Sequence, residues 1–223
     1  MPIPLSLYIH MPWCVQKCPY CDFNSHALRG DLTTGLPEQD YVSQLLADLA
    51  RDIERFEETR PLHSIFIGGG TPSLFSGSAI SQLLDGVRKQ LPVTSKTEIT
   101  LEANPGTVDE KHFAAYRHSG VNRISIGIQS FHAEHLKVLG RIHSPEEAER
   151  AVKTAQDSGF DNINIDLMFG LPQQTREQAL SDVEQGIALG TEHLSYYQLT
   201  LEPDTAFAHR PPILPNEEKI DSR

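Results

Sequence analysis

Short runs rich in β-branched and apolar residues alternate along this chain with amphipathic stretches, the pattern of repeated βα units around a parallel sheet. The runs 5–10, 63–67, 98–102, 123–128, 162–168 and 193–199 read as six strands. Between them, Tyr41, Leu45, Leu49, Ile53 and Phe56 recur every three or four residues, as do Ile80, Leu83, Leu84, Val87 and Leu91. Each series marks the buried stripe of a helix. Thr107-x-x-Glu110, Ser144-x-x-Glu147 and Thr175-x-x-Gln178 have the form of capping boxes and predict the starts of three later helices. Gly120, Gly159 and Gly190 predict their ends, because glycine takes the left-handed conformation after a helix at little cost.

Six such units are too few to close an eightfold barrel, so the fold class expected is α/β, a partial (β/α)6 barrel open along one side. The stretch Arg210-Pro-Pro-Ile-Leu-Pro lacks the amide donors for helix or sheet and reads as a linker. The expected division is therefore a core domain over 1–209, followed over 210–223 by a linker or the start of a carboxy-terminal domain.

At 223 residues and 39% hydrophobic, the chain can bury one sizeable core. Its net charge of −11 argues against a nucleic-acid partner, since phosphate binding needs a basic surface. No apolar run of about 18 residues occurs, and Met1-Pro-Ile-Pro-Leu has neither the basic nor the apolar region of a signal peptide, so a cytoplasmic location is expected.

The only three cysteines fall within eight residues, as Cys14-x3-Cys18-x2-Cys21. With no distant cysteine to pair with, they point to a reducing compartment and to metal ligation. Three thiolates can hold three corners of a 4Fe-4S cubane and leave the fourth iron open to a small molecule. The alternative, structural zinc, normally takes four ligands and would need His10 or Asp22 to complete it.

In barrels of βα units the site lies at the carboxyl ends of the strands. Residues expected there, besides the cysteine loop, are Gly68-Gly69-Gly70-Thr71-Pro72, Glu102-Ala-Asn104, Gln129-Ser130 and Asp166. The glycine run has the form of a loop offering amide donors to a charged ligand. Asp166 sits in an otherwise apolar strand, where a carboxylate needs a partner or a ligand. Taken singly, Glu102 reads as a solvated strand residue, Arg141 as a surface salt bridge, and His132 and His135 as residues of a solvated helix.

The cysteine spacing, with Tyr20 before the last cysteine, resembles the motif of the radical S-adenosylmethionine (SAM) family. Tyr8-Ile-His-Met-Pro-Trp-Cys14, Cys18-Pro-Tyr-Cys-Asp-Phe-Asn-Ser25, Gly68-Gly-Gly-Thr-Pro-Ser73, Glu102-Ala-Asn-Pro-Gly106, Gly127-Ile-Gln-Ser130 and Asp166-Leu-Met-Phe-Gly-Leu-Pro172 narrow the likeness. They resemble the branch of oxygen-independent coproporphyrinogen III oxidases and HemW-type heme chaperones, over 5–215. The resemblance implies that Cys14, Cys18 and Cys21 ligate the cluster, that SAM chelates its open iron, and that Tyr8, Tyr20, Gly69, Gly70, Thr71, Glu102, Gln129, Arg141 and Asp166 line the SAM site. The oxidases carry a further cysteine two places after the third, where this chain has Phe23. That difference favours the chaperone group, with heme as cargo, apo-hemoproteins as acceptors, and room for a membrane-associated acceptor and a homodimer. The family continues past the proline-rich stretch into a domain covering the barrel, so the expectation is a barrel truncated before a carboxy-terminal domain.

Overall fold

A computed structural model describes residues 3–28 and 35–215. Its sheet contains β1 (Leu5–Met11), β4 (Leu62–Gly69), β5 (Val93–Ala103), β6 (Arg123–Gln129), β7 (Ile163–Phe169) and β8 (His193–Gln198), in that spatial order and parallel throughout. β1 and β8 form the two edges, so the barrel is partial, with six of the strands a closed one would have. Helices α1 (Glu38–Phe56), α2 (Gly77–Gln90), α3 (Glu110–Ser119), α4 (Ala133–Val138), α5 (Pro145–Asp157), α6 (Arg176–Ala188) and α7 (Ala206–His209) complete the units.

The core lies between the sheet and its helices. Ile65, Ile67, Leu101, Ile124, Ile126, Ile165 and Leu167 alternate on the outer face of the strands and are buried against Ile80, Leu83, Leu84 and Val87 of α2, Phe113 of α3 and Val152 of α5. The intervening positions face inward, by the two-residue period of a strand, and many are polar. Ser195 Oγ donates to Asn164 Oδ1 (3.1 Å), Asn164 Nδ2 to Ser125 Oγ (2.9 Å), and Ser125 Oγ to Asp166 Oδ2 (3.0 Å), a ladder across three strands. A closed barrel fills its interior with apolar layers; this one keeps a hydrogen-bonded polar interior.

Ser144 and Thr175 form the capping boxes expected of them, at the starts of α5 and α6. Thr107 does not. A short 3-10 turn, Pro105–Thr107, absorbs its hydroxyl onto Asn104 O, and Asp109 caps α3 instead, accepting from His112 N at 2.9 Å. Gly120, at φ 101°, closes α3 as expected.

Two features escape the periodic pattern. β2 (Trp13–Cys14) and β3 (His26–Ala27) pair in parallel across the neck of the cysteine loop, too short to leave a pattern in sequence. The stretch 211–215 is seated on the barrel, not free of it: Gln173 N donates to Ile213 O (3.2 Å), and Leu214 packs against a small cluster of Leu139, Met168, Leu171, Leu199 and Phe207. Residues 216–223 of the expected linker lie outside the described residues. Among the described residues, no helix is long and apolar enough to cross a membrane.

Candidate cofactor site

At the carboxyl ends of the strands lies a cavity of about 430 Å³. Its lining includes Cys14, Cys18 and Cys21 and eight of the nine residues expected around SAM, from Tyr20 through Asp166. Tyr8 is the exception. Its ring is 56% exposed, stacks on Phe66 with centroids 6.3 Å apart, and its hydroxyl meets His10 Nδ1 at 3.0 Å.

The cysteine loop is held by one of its own side chains and by two distant elements, α7 and the segment after α4. Lys17 Nζ donates to the carbonyls of Phe23 (2.9 Å) and Ser25 (3.0 Å), drawing the loop around itself. Phe207 N, on α7, donates to Pro19 O (2.9 Å). Gly140, after α4, approaches so closely that a Cβ there would sit 2.9 Å from Pro19 Cδ, at a φ of 67° that itself favours glycine. Arg141, the next residue, donates from Nη2 to Gly127 O (2.6 Å) and from Nη1 to Cys18 Sγ (3.8 Å). It is no surface salt bridge.

All three thiols are free, Cys14 buried and the others half-buried. His10, a candidate fourth zinc ligand, has its other ring nitrogen, Nε2, on Asn24 O at 2.7 Å. Among the described residues, no three His, Cys, Asp or Glu side chains are grouped around one ion. The thiols instead share the cavity wall with a buried guanidinium, an arrangement suited to an anionic cluster that takes one thiolate per iron.

The strands β5 and β7 bring acidic groups to the cavity, Glu102 and Asp166. Burial, with a smaller contribution from neighbouring Asp166, pushes the Glu102 carboxyl up to about 7, opposed by a hydrogen bond from Gly69 N (3.1 Å). Burial likewise raises Asp166, against the hydrogen bonds from Ser125 and Asn164. Glu102 is thus no solvated strand residue. Arg141 Nε is buried without a hydrogen-bond partner, so the site holds a cation with a donor to spare and a carboxylate that a neighbouring positive charge would ionise. A ligand carrying both an ammonium and a carboxylate fits this pair.

The glycine run behaves differently from expectation. Gly69 N is taken by Glu102, Gly70 N by Met11 O (2.6 Å) and Thr71 N by Trp13 O (2.8 Å), so these three amides are not left for a ligand. A Cβ on Gly70 would lie 2.7 Å from Trp13 O and 2.8 Å from Met11 O. The close approach that demands glycine is therefore to the entry of the cysteine loop.

The sequence reading missed or misplaced several residues in and around the site. Tyr197 donates from its hydroxyl to Gln129 Oε1 (2.7 Å), and Gln129 itself is buried at φ 74°, where the β6–β7 register slips. His143 donates from Nε2 to Ile128 O (3.1 Å), and burial beside Arg141 pushes it down to about 4, so it is neutral. His132 and His135, expected on a solvated helix, instead face α6: His135 is 3% exposed with Nε2 3.2 Å from Gln178 Oε1, and His132 Nε2 is 3.9 Å from the Asp182 carboxylate. The one-turn spacing is right; α6 covers the face that the sequence alone leaves open. Alternation on the inner face of β8 is the signal that could have found Tyr197.

Residues 8–185 match the radical SAM superfamily. The chain is 58% identical over 217 residues to the heme chaperone HemW of Escherichia coli, and 56% identical over 220 residues to that of Haemophilus influenzae. Each alignment covers 97% of this chain and 56% of the relative, so the chain spans little more than half the length of these proteins. Among solved structures, coproporphyrinogen III oxidase (HemN) of Escherichia coli superposes with a TM-score of 0.84 at 28% identity, over 97% of this chain and 49% of the oxidase. With a match across most of its length, an open parallel barrel and three cysteines at the barrel mouth, the chain belongs to the radical SAM superfamily.

Proposed function

We propose that this chain is the cluster- and SAM-binding core of a HemW-type heme chaperone, which holds heme in the cytoplasm and passes it to apo-hemoproteins. The observation that carries this reading is the 58% identity with the Escherichia coli heme chaperone. Phe23, at the position where the oxidases resemble one another in having a fourth cysteine, supports it.

Membership of the family implies a 4Fe-4S cluster and SAM. In this reading Cys14, Cys18 and Cys21 hold the cluster, Glu102 takes the amino group of SAM, Arg141 its carboxylate, and Asp166 the ribose hydroxyls. Tyr20, Gly69, Gly70, Thr71 and Gln129 shape the walls, and Tyr8 stands at the rim. Held by these residues, a reduced cluster would supply the electron for reductive cleavage of a carbon–sulfur bond of SAM. The protein's own part is to orient the ligand between the acidic and basic groups and to keep water from the mouth, where Tyr20 packs beside Phe207 with ring centroids 6.5 Å apart. The core runs over 1–209, with 210–215 as the docked exit from it; heme transfer and dimerisation involve surfaces beyond this cavity.

The second reading, oxygen-independent coproporphyrinogen III oxidation, is favoured by the close superposition on HemN. Anaerobic reconstitution with iron and sulfide, followed by titration with heme and a parallel assay on coproporphyrinogen III, separates the two. Stoichiometric heme binding without turnover is expected. Turnover without heme binding would transfer the assignment to the oxidase.

A further inference from the structure

Behind the cavity, in the outer helical layer, Asp182 of α6 is 0% exposed and faces no lysine or arginine at ion-pair distance among the described residues, only the His132 ring, whose Nε2 is 3.9 Å from Oδ1. It is nonetheless densely bonded. Phe131 N donates to Oδ1 at 2.6 Å, Ser130 Oγ reaches Oδ1 and Oδ2 at 3.1 and 2.9 Å, and Gln174 Nε2 donates to Oδ2 at 3.4 Å. Ser130 Oγ in turn accepts from His132 N (3.1 Å), so three consecutive residues are wound about one carboxylate. A buried charge is costly, and an apolar side chain of similar volume would pack in this layer at less cost. What the carboxylate does that an apolar group could not is hold a backbone in place.

The backbone in question needs holding. Immediately before Ser130, Gln129 adopts φ 74°, a left-handed conformation unfavourable for a residue with a Cβ, at the point where the β6–β7 register slips. This turn directs the Gln129 side chain to Tyr197 on the cavity wall. Gly127, on the other side of the slip, accepts the Nη2 hydrogen bond of Arg141.

We propose that Asp182 is a positioning residue of the cofactor site: by gripping Ser130 and Phe131 it fixes the strained turn that presents Gln129, and with it Tyr197, to the cavity. It acts through Gln129 and does not touch the ligand. The role in ligand binding rests on the reading of this cavity as a SAM site; the role in holding Gln129 does not.

Two measurements on the 223-residue chain decide between these. In ¹⁵N-labelled protein the Gln129 side-chain amide signal is identified by its loss in Gln129→Ala. Asp182→Asn, of equal size, is expected to shift or broaden that signal while circular dichroism stays unchanged. In reconstituted protein, calorimetric titration with SAM is expected to show Asp182→Asn weakened about tenfold, the scale of one lost charged hydrogen bond. The double variant is expected to be no weaker than Gln129→Ala alone, since residues acting through one another are not additive. An unmoved Gln129 signal, or losses that add, would overturn the proposal. If Asp182→Asn does not fold, Ser130→Ala replaces it in the same comparison. If wild-type protein binds no SAM, the site reading fails and the Gln129 signal still decides the role of Asp182.

Discussion

Arg141 lies with Nη1 3.8 Å from the sulfur of Cys18, although 123 residues separate them in the chain. The same guanidinium donates to Gly127 O and leaves Nε without a partner, so one buried side chain joins the cysteine loop, β6 and the cavity. Lysine cannot reproduce this. Its single ammonium lacks the planar fork that serves three directions at once. Arg141→Lys is expected to fold, to retain iron, and to bind SAM more weakly by roughly tenfold or more, the scale of a lost charge-assisted hydrogen bond. Calorimetry on the reconstituted protein checks this, and unchanged affinity would remove Arg141 from the ligand-binding set.

Removing a thiol has a different signature. On the proposed ligand set, Cys18→Ala would leave one iron corner without its thiolate, while the core between sheet and helices is untouched. Iron and acid-labile sulfide are expected to fall to background after reconstitution, with far-ultraviolet circular dichroism unchanged. A full cluster spectrum in Cys18→Ala would show that the ligand set is wrong.

The elevated pKa of Glu102 predicts a pH dependence with a definite sign. Its folded-state value, about 7, lies above the ordinary 4.5. Below 4.5 the carboxyl is protonated in both folded and unfolded chains and contributes no penalty. Between 4.5 and 7 the unfolded chain loses its proton first, so the penalty grows with pH and is complete above 7. It reaches on the order of 3 kcal/mol. Urea unfolding across this range is expected to show wild-type stability falling relative to Glu102→Gln as pH rises. SAM affinity is expected to rise over the same window, because an ammonium favours the ionised carboxylate, and that rise is expected to vanish in Glu102→Gln. Parallel pH curves for the two proteins would refute the assignment.

Gly70→Ala tests whether the glycine run serves the protein or a ligand. The added methyl meets the carbonyls of Trp13 and Met11 at under 3 Å, and backbone cannot move aside as a side-chain tip can. Displacement of the cysteine loop is therefore expected even without ligand. Hydrogen exchange of 13–28 is expected to accelerate in cluster-free Gly70→Ala, with a lower melting temperature. Unchanged exchange, with SAM binding alone impaired, would return the glycine to a ligand-contact role.

Much of the architecture was legible because it is written in local periodicity. The alternation in 123–128 and 162–168 and the three-to-four spacing from Tyr41 to Phe56 correspond to β6, β7 and α1. Ser144 and Thr175 cap the helices expected of them, since a capping box is closed by residues three apart. Thr107 failed because Pro105 begins a turn that moves the helix start to Asp109, and a spacing rule does not see that competition. The grouping of the cysteines, too, was readable, because three thiols within eight residues share one loop, and that loop lines the cavity at the carboxyl ends of the strands.

The sequence by itself determined the six strands of the main sheet, most of the helices, their parallel βα order and the thiol motif, because each depends on side chains within a few positions of one another. Only the tertiary structure decided that the glycine amides are spent on Glu102 and the cysteine loop, that Tyr8 stands outside the cavity lining, and that Tyr197 meets Gln129 across 68 residues. It also decided that Asp182 and His135 are buried. Those facts depend on which distant groups the barrel brings within hydrogen-bond reach, and a donor's partner in a folded chain is set by packing, not by its neighbours in sequence.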